Sequence, residues 1–334
     1  MPQPKRSVSV STVAERAGVS IATVSRVVNG IANRASAETT ARVWQAVHEL
    51  GYHPDSVGRA LRQRQSRLVA LLAANLANPA MAAIAASVEA ALRSEGLVMV
   101  LCDTHDRAEL QDEYLVEMRA QLARATVLLG AVASPQLAAM QPAGETLLFV
   151  NRRSPCDPAQ PFIGIDNRRA GADVADFLHT QGVTAPGVIH AALSSSATAD
   201  RIVGFLDALA RYGRPAMPTQ VATADELDHM AIGYRRALDV LPEGGRRGIF
   251  CASDLIAYGA HRRLGEAGLC VPDDVVLVGF DDNPLNDWVA PWLNSVRVPY
   301  DRFGPAVVAA LGAIRRGESV SRLLEHRLVI RASA

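Results

Sequence analysis

The sequence predicts a multidomain protein: a small all-α helix-turn-helix headpiece, then a two-lobed α/β body built on parallel sheets. Three observations carry the prediction. Apolar residues recur at helical spacing on both sides of Gly18, between positions 13 and 29. From Arg67 onward, short apolar strands alternate with amphipathic helices in two successive series. Charge divides along the same line, since residues 1–66 hold nine Lys/Arg and four Asp/Glu while the rest holds 25 and 30. A headpiece of net charge +5 on a body of −5 is the pattern of a modular nucleic-acid binder.

Composition sets the limits. With 334 residues and 49% hydrophobic content, the chain can form two or three domains with proper cores. No uninterrupted apolar run approaches the ~20 residues that span a bilayer, so no membrane partner is expected. The basic opening is followed by alternating Ser and Val, not by an apolar segment. It is not a secretory signal, and a cytoplasmic protein is expected. Cys102, Cys156, Cys251 and Cys270 are scattered without metal-ligand spacing. They read as free thiols, and neither a metal site nor a cofactor is expected.

In the headpiece, residues 1–53, Ser9 or Ser11 caps the first helix by accepting from its free amides. Gly18 tolerates the left-handed conformation that stops it, and Ser20 caps the second helix. Val13, Ala14, Ala17, Val19, Val24 and Val27 fill a common core. That leaves Ser20, Ile21, Ala22, Thr23, Ser25, Arg26 and Asn29 on or near the outer face of the second helix. In a helix-turn-helix this helix enters the DNA major groove with its N-terminal residues on base edges. Arg26 suits a bidentate contact to guanine, and Ile21 and Ala22 suit a thymine methyl. Thr23, Ser25 and Asn29 suit phosphates, which fix register. A third helix over 37–50, capped by Ser36 and stopped by Gly51, places Trp44 in the bundle core with Val43, Val47 and Leu50. Residues 54–66 form a linker, in which Asp55 caps a helix too short to be stable alone.

In the body, residues 67–334, the pattern gives strand 68–74, helix 81–94, strand 97–103, helix 109–123 and strands 126–130, 146–151 and 162–165. The second series gives helix 170–181, strand 187–191, helices 200–212 and 233–241, strand 248–251, helix 255–267 and strand 275–280, with a last strand at 327–331. Strands alternating with helices argue for parallel sheets covered on both faces. Ligands of such sheets sit beyond the carboxyl ends of the strands.

The run from 13 to 29, Val-Ala-Glu-Arg-Ala-Gly-Val-Ser-Ile-Ala-Thr-Val-Ser-Arg-Val-Val-Asn, resembles the DNA-binding headpiece of the lactose-repressor (LacI/GalR) family of bacterial transcription regulators. Gly-Ile-Phe-Cys-Ala-Ser-Asp-Leu-Ile-Ala-Tyr-Gly at 248–259 and Val-Pro-Asp-Asp-Val-Val-Leu-Val-Gly-Phe-Asp-Asp at 271–282 resemble the family's body motifs. Pro-Trp-Leu-Asn-Ser-Val at 291–296, followed by Phe303-Gly304, matches a third. The resemblance implies a body like the periplasmic sugar-binding proteins, with crossovers near Ile165, Ser295 and His326. The N-lobe would then hold about 67–165 and 296–325, and the C-lobe about 166–295 and 326–334. It also implies that 54–66 is a hinge helix that orders on operator DNA. Leu61 would insert into a central minor-groove step, with Arg62 beside it. Gly58 departs from the family's usual alanine and should loosen the free hinge.

For the effector cleft, Arg201 matches the family arginine that bonds the ligand, and Asp281 the carboxylate that accepts from ligand hydroxyls or ring nitrogens. Ser253 stands where many members have asparagine, Asn151 where aspartate is common, and Asp166 at the first crossover. Asn78 and Ser195 complete the set. Aromatics common in the family are replaced here by Ala80, Met81 and Asp228, which leaves Trp288 as the aromatic expected near the cleft. A pocket with few stacking faces points to a small polar effector, a sugar acid or sugar phosphate, held by Arg201 and Ser194–Ser196.

An enzyme is the rival class, with Asp281-Asp282 as a carboxylate pair and Ser194–Ser196 as nucleophiles. No nucleophile elbow, phosphate loop or metal-spaced His pair accompanies them, so no catalytic residue is assigned. The reading is a repressor whose affinity for double-stranded DNA is set allosterically by a sugar or sugar derivative. A co-repressed regulator with a purine-like ligand, or a solute-binding protein without a regulatory role, is the alternative. Release and tightening by effector both fit the sequence. The chain ends without a heptad tail, so a homodimer on a near-palindromic operator is expected.

Overall fold

The structure is a computed structural model that describes residues 8–28, 35–52, 66–140, 144–184, 186–191, 195–213, 218–224, 228–242 and 244–334. It divides into two compact units, Met1–Ser66 and Arg67–Ala334.

In the first unit, α1 (Val10–Ala17), α2 (Ile21–Val28) and α3 (Ala37–Leu50) are set by local signals. Ser9 rather than Ser11 caps α1, accepting from the Thr12 amide at 3.3 Å, and Gly18 ends it at φ +63°. Ser20 caps α2 through the Thr23 amide at 3.1 Å, and Ser36 caps α3 through the Thr39 amide at 3.1 Å. Val13, Ala14, Ala17, Val24, Val27, Val43, Ala46, Val47 and Tyr52 form the core, with Val19 and Leu50 packed at its edge. Trp44 does not belong to that core, because 40% of it is exposed. The buried stripe of α3 runs through 43, 46, 47 and 50, and the residue after Val43 points about 100° away from it.

The second unit holds two sheets. The first lobe comprises β1 (Leu68–Ala73), α4 (Pro79–Ser94), β2 (Val98–Asp103), α5 (Ala108–Ala120), β3 (Ala125–Leu129), α6 (Pro135–Met140), β4 (Leu147–Val150) and β5 (Phe162–Ile165). The chain then builds the second lobe. Its first part is α7 (Asn167–Thr180), β6 (Gly187–Ala191), α8 (Ser196–Arg211), β7 (Val221–Ala224) and α9 (His229–Arg236). Its second part is β8 (Arg247–Cys251), α10 (Asp254–Glu266), β9 (Val275–Asp281), α11 (Asn286–Val289) and β10 (Asn294–Arg297). It returns through α12 (Tyr300–Arg315) and β11 (Ser321–Leu324) to the first sheet, and ends with β12 (Arg327–Val329) on the second. The strand orders are β11-β5-β4-β3-β1-β2 and β12-β10-β9-β8-β6-β7. Among the described residues, all strand pairings are parallel except β10 with β12.

Three differences from the expected elements have physical causes. Val296 and Arg297 still pair with β9, so the second crossover, expected near Ser295, begins just beyond Arg297. Helix α9 starts at His229, four residues before the apolar periodicity does, because the Asp228 carboxylate caps it through the Ala231 amide at 3.1 Å. Helix α12 was hidden by Pro305, a residue that breaks most helix interiors.

Helices α7 and α8 cross at backbone contact. A Cβ on Gly171 would collide with the Arg201 carbonyl, and one on Gly204 with the Arg168 carbonyl. This close approach seats Arg201 directly over the start of α7. Gly204→Ala is therefore expected to cost ~1–3 kcal/mol by forcing the helices apart. An unchanged urea midpoint would show that the crossing gives way freely.

Candidate functional site

The outer face of α2 carries the first candidate group. Val24 and Val27 turn inward, while Ile21, 56% exposed, Ala22 and Arg26 turn outward. The Ser20 hydroxyl is engaged in capping and lies 2.9 Å from the Thr23 hydroxyl. Thr23 and Ser25 are half-buried beside it. Arg26 has no carboxylate within ion-pair distance among the described residues. Asn29, Leu61, Arg62 and Gly58 lie outside the described residues.

The second group lies at the carboxyl ends of the second lobe's strands. Arg201, on α8, is buried at 6% exposure. Its Nη2 and Nε donate to Asn167 Oδ1 at 3.0 and 3.3 Å, and its Nη1 donates to the Ala252 carbonyl. The guanidinium lies 3.2 Å from the centroid of the Phe280 ring. Burial pulls its pKa down to about 10, opposed by the charges of Asp281 and Asp254, so it remains a cation at neutral pH. Asp281 ends β9 at φ +107°. Burial raises its carboxyl to about 7, with Arg201 pulling the other way. Asp254 opens α10 fully buried, and burial together with Asp281 raises it to about 8. It accepts from the Asn283 amide at 2.8 Å, the Asn286 side chain at 3.0 Å and the Ser295 hydroxyl at 2.5 Å. Tyr300 donates to the Asp281 carbonyl at 2.7 Å.

His229 joins this group, with Nδ1 2.9 Å from the Ser253 hydroxyl. Burial lowers its pKa, and the charges of Arg152 in the other lobe and of Arg201 lower it further, so the ring is neutral. Arg152 is paired with Asp106 at 2.5 Å, and its buried Nε has no partner. Beside the group, a cavity of about 220 Å³ opens between the lobes. Asn151 and Arg153 line it from one lobe, and Asp166, Asn167, Ser196 and Asp200 from the other. The Arg153 amide donates to the Ser196 hydroxyl at 2.9 Å, and its guanidinium lies 4.2 Å above the Phe162 ring.

The structure thus brings Arg201, Ser253 and Asp281 together and places Asn151 and Asp166 on the adjoining cavity. Asn78, Asp166, Ser195 and Ser253 each cap a helix, accepting from the amides of Ala80, Arg169, Thr198 and Ile256. Trp288 is not brought to the group. It sits on α11 at 83% exposure, with Leu285 and Val289 also exposed, because the turn after β9 sends its polar face, not its apolar one, inward to Asp254 and Asp282. Sequence reasoning missed Asn167, Phe280, His229, Arg152, Arg153 and Tyr300. Phe280 and Asn167, each next to a chosen residue and in contact with Arg201, were the ones a local signal could have found.

Comparisons with known proteins match both units. A family profile described as bacterial regulatory proteins, lacI family, matches residues 8–55, and one described as a periplasmic binding protein-like domain matches residues 175–334. The HTH-type transcriptional repressor PurR of Aliivibrio salmonicida (strain LFI1238) is 28% identical over 306 residues, covering 91% of each chain. PurR of Yersinia pestis bv. Antiqua (strain Antiqua) is 29% identical over 312 residues, 91% of this chain and 89% of that one. The lac repressor dimer bound to operator and the anti-inducer ONPF matches with a TM-score of 0.85 at 26% identity, covering 98% of this chain and 99% of that one. A complex of the transcriptional regulator CelR with cellobiose matches with a TM-score of 0.71 at 28% identity, covering 98% and 100%.

The raised carboxyls make a pH prediction. An aspartate raised in the folded state binds its proton there at pH values where the unfolded chain has released it. Its contribution is complete below the unfolded value near 4 and is lost as pH rises through about 7 to 8. Asp254→Asn removes one such group. Urea unfolding of both proteins across pH 5–9 should show the variant gaining on the parent as pH rises. A stability difference that stays flat over that range would mean that Asp254 is ionised throughout.

Proposed function

Because the chain belongs to the LacI/GalR family of bacterial transcriptional regulators, we propose that it is a repressor whose hold on operator DNA is set by a small polar metabolite in the inter-lobe cleft. The observation that carries the DNA half is the exposed face of α2, where Ile21, Ala22 and Arg26, without a carboxylate partner among the described residues, project from a helix held by Val24 and Val27. Arg26 reads a guanine, Ile21 and Ala22 meet thymine methyls, and Ser20, Thr23 and Ser25 hold the backbone. Asn29, Leu61 and Arg62 take the phosphate and minor-groove roles implied by the family. The protein acts in the cytoplasm as a homodimer on a near-palindromic site, in keeping with the operator-bound dimer of the lac repressor. Its relatives are repressors rather than enzymes.

The effector is a sugar acid or sugar phosphate. Arg201 keeps two of its five N–H groups free of the partners named above, and Asn151, Asp166, Ser195, Ser253 and Asp281 supply further donors and acceptors. Arg153 adds a second cation at the cavity. Binding shifts the population of lobe arrangements, and the hinge responds. The name of the PurR relatives supports a purine-like co-repressor as the second reading. Against it, the Phe280 face is already covered by the Arg201 guanidinium and Trp288 points away, which leaves few faces on which a ring could stack.

Two measurements test this. Arg26→Ala should lose specific operator binding by roughly tenfold or more in a gel shift while its unfolding stays unchanged, and retained affinity would remove Arg26 from the reading set. A thermal-shift panel of neutral sugars, sugar acids, sugar phosphates and nucleobases should give its largest rise with an anionic sugar. Stabilisation by neutral sugars or nucleobases alone would replace the proposed effector class.

A further inference from the structure

A second cavity, of about 190 Å³, opens in the first lobe at the amino ends of β1 and β3, where ligands of parallel sheets do not ordinarily sit. Its floor is apolar, formed by Val69, Leu92, Leu97, Val308 and Leu311. Its wall carries Arg124 and Arg315, with Glu95 on the rim. The two arginines repel each other, and Arg124 is lowered by burial and by the charge of Arg315. Neither has a carboxylate within ion-pair distance among the described residues, whereas the nearby Arg119 and Arg93 are paired with Glu145 and Glu89. Gly312 lies on the wall inside helix α12. Glycine is a poor helix former, and a Cβ there would meet only the tip of Arg316, at 3.5 Å. The missing side chain leaves the cavity open between α4 and α12.

We infer that this cavity binds a small organic monoanion, a carboxylate on a compact apolar body, held by the guanidiniums of Arg124 and Arg315. Guanidinium and carboxylate match as bidentate partners. Two cations with one carboxylate on the rim leave a single positive charge to neutralise, which favours a monoanion over a phosphate dianion. The size fits as well, since a dry apolar cavity of ~150 Å³ accepts benzene.

The test is a calorimetric titration of the full-length protein with benzoate, in parallel with benzyl alcohol and inorganic phosphate. Benzoate should bind with a millimolar or lower Kd and exceed both controls by about tenfold. Arg124→Met should weaken it by about tenfold, and Gly312→Leu, which fills the cavity, should abolish it. Arg124→Met keeps the readout if Gly312→Leu folds poorly. Undiminished binding in both variants would place benzoate elsewhere and overturn the inference. So would equal binding of benzyl alcohol or phosphate, or no heat up to about 10 mM.

Discussion

The buried guanidinium of Arg201 is the constraint around which the second lobe is arranged. Removing an arginine from water costs on the order of several kcal/mol unless its charge and donors are matched. Here the matching comes from separate elements. Asn167 begins α7, the Ala252 carbonyl follows β8, and Phe280 precedes the end of β9. Arg201 can reach all of them only because Gly171 and Gly204 let α7 and α8 touch backbone to backbone. The site is thus a consequence of helix packing as much as of polar chemistry.

Three neighbouring aspartates show how partners, rather than burial alone, decide protonation. Asp254 is raised because desolvation and the charge of Asp281 outweigh its hydrogen bonds, and Asp281 because desolvation outweighs the field of Arg201. Asp282 meets the same upward push from burial. Arg331 at 2.7 Å and Arg297 at 2.5 Å, with Asn286, nevertheless hold it below the usual carboxylate range. Arg297 and Arg331 flank the stretch that leaves the second sheet and returns to it. The ionised member therefore pins the crossover, while the two carboxyls near neutrality face Arg201, where a ligand can change their state.

The headpiece was legible because its signals are local. Ser20, Ser36, Gly18 and Gly51 act within four residues of themselves. Four of the eight residues expected at the cleft also cap helices: Asn78, Asp166, Ser195 and Ser253. In a parallel sheet the residue after a strand often caps the next helix and faces the ligand crevice, so one short polar side chain answers both descriptions. Trp44 and Trp288 were not legible. The apolar stripe suggested burial for Trp44, and the lack of other aromatics a cleft position for Trp288, but helix phase and turn direction turned both outward. His229, Arg152 and Arg153 were also out of reach, since their roles depend on partners 43 or more residues away or on a charge in the other lobe.

Polar links between described residues of the two lobes gather beside the cavity. The Arg153 amide reaches the Ser196 hydroxyl at the start of α8, the helix that carries Arg201. Across the same gap, the Arg152–Asp106 pair acts on His229, which in turn touches Ser253 at the start of α10. Each contact ends at a helix N-terminus of the second lobe, where positive dipole ends gather. An anion entering the cavity would meet the start of α8 together with Arg153. It would bridge the Arg153 cation of one lobe to the helix end of the other, and so draw the lobes together.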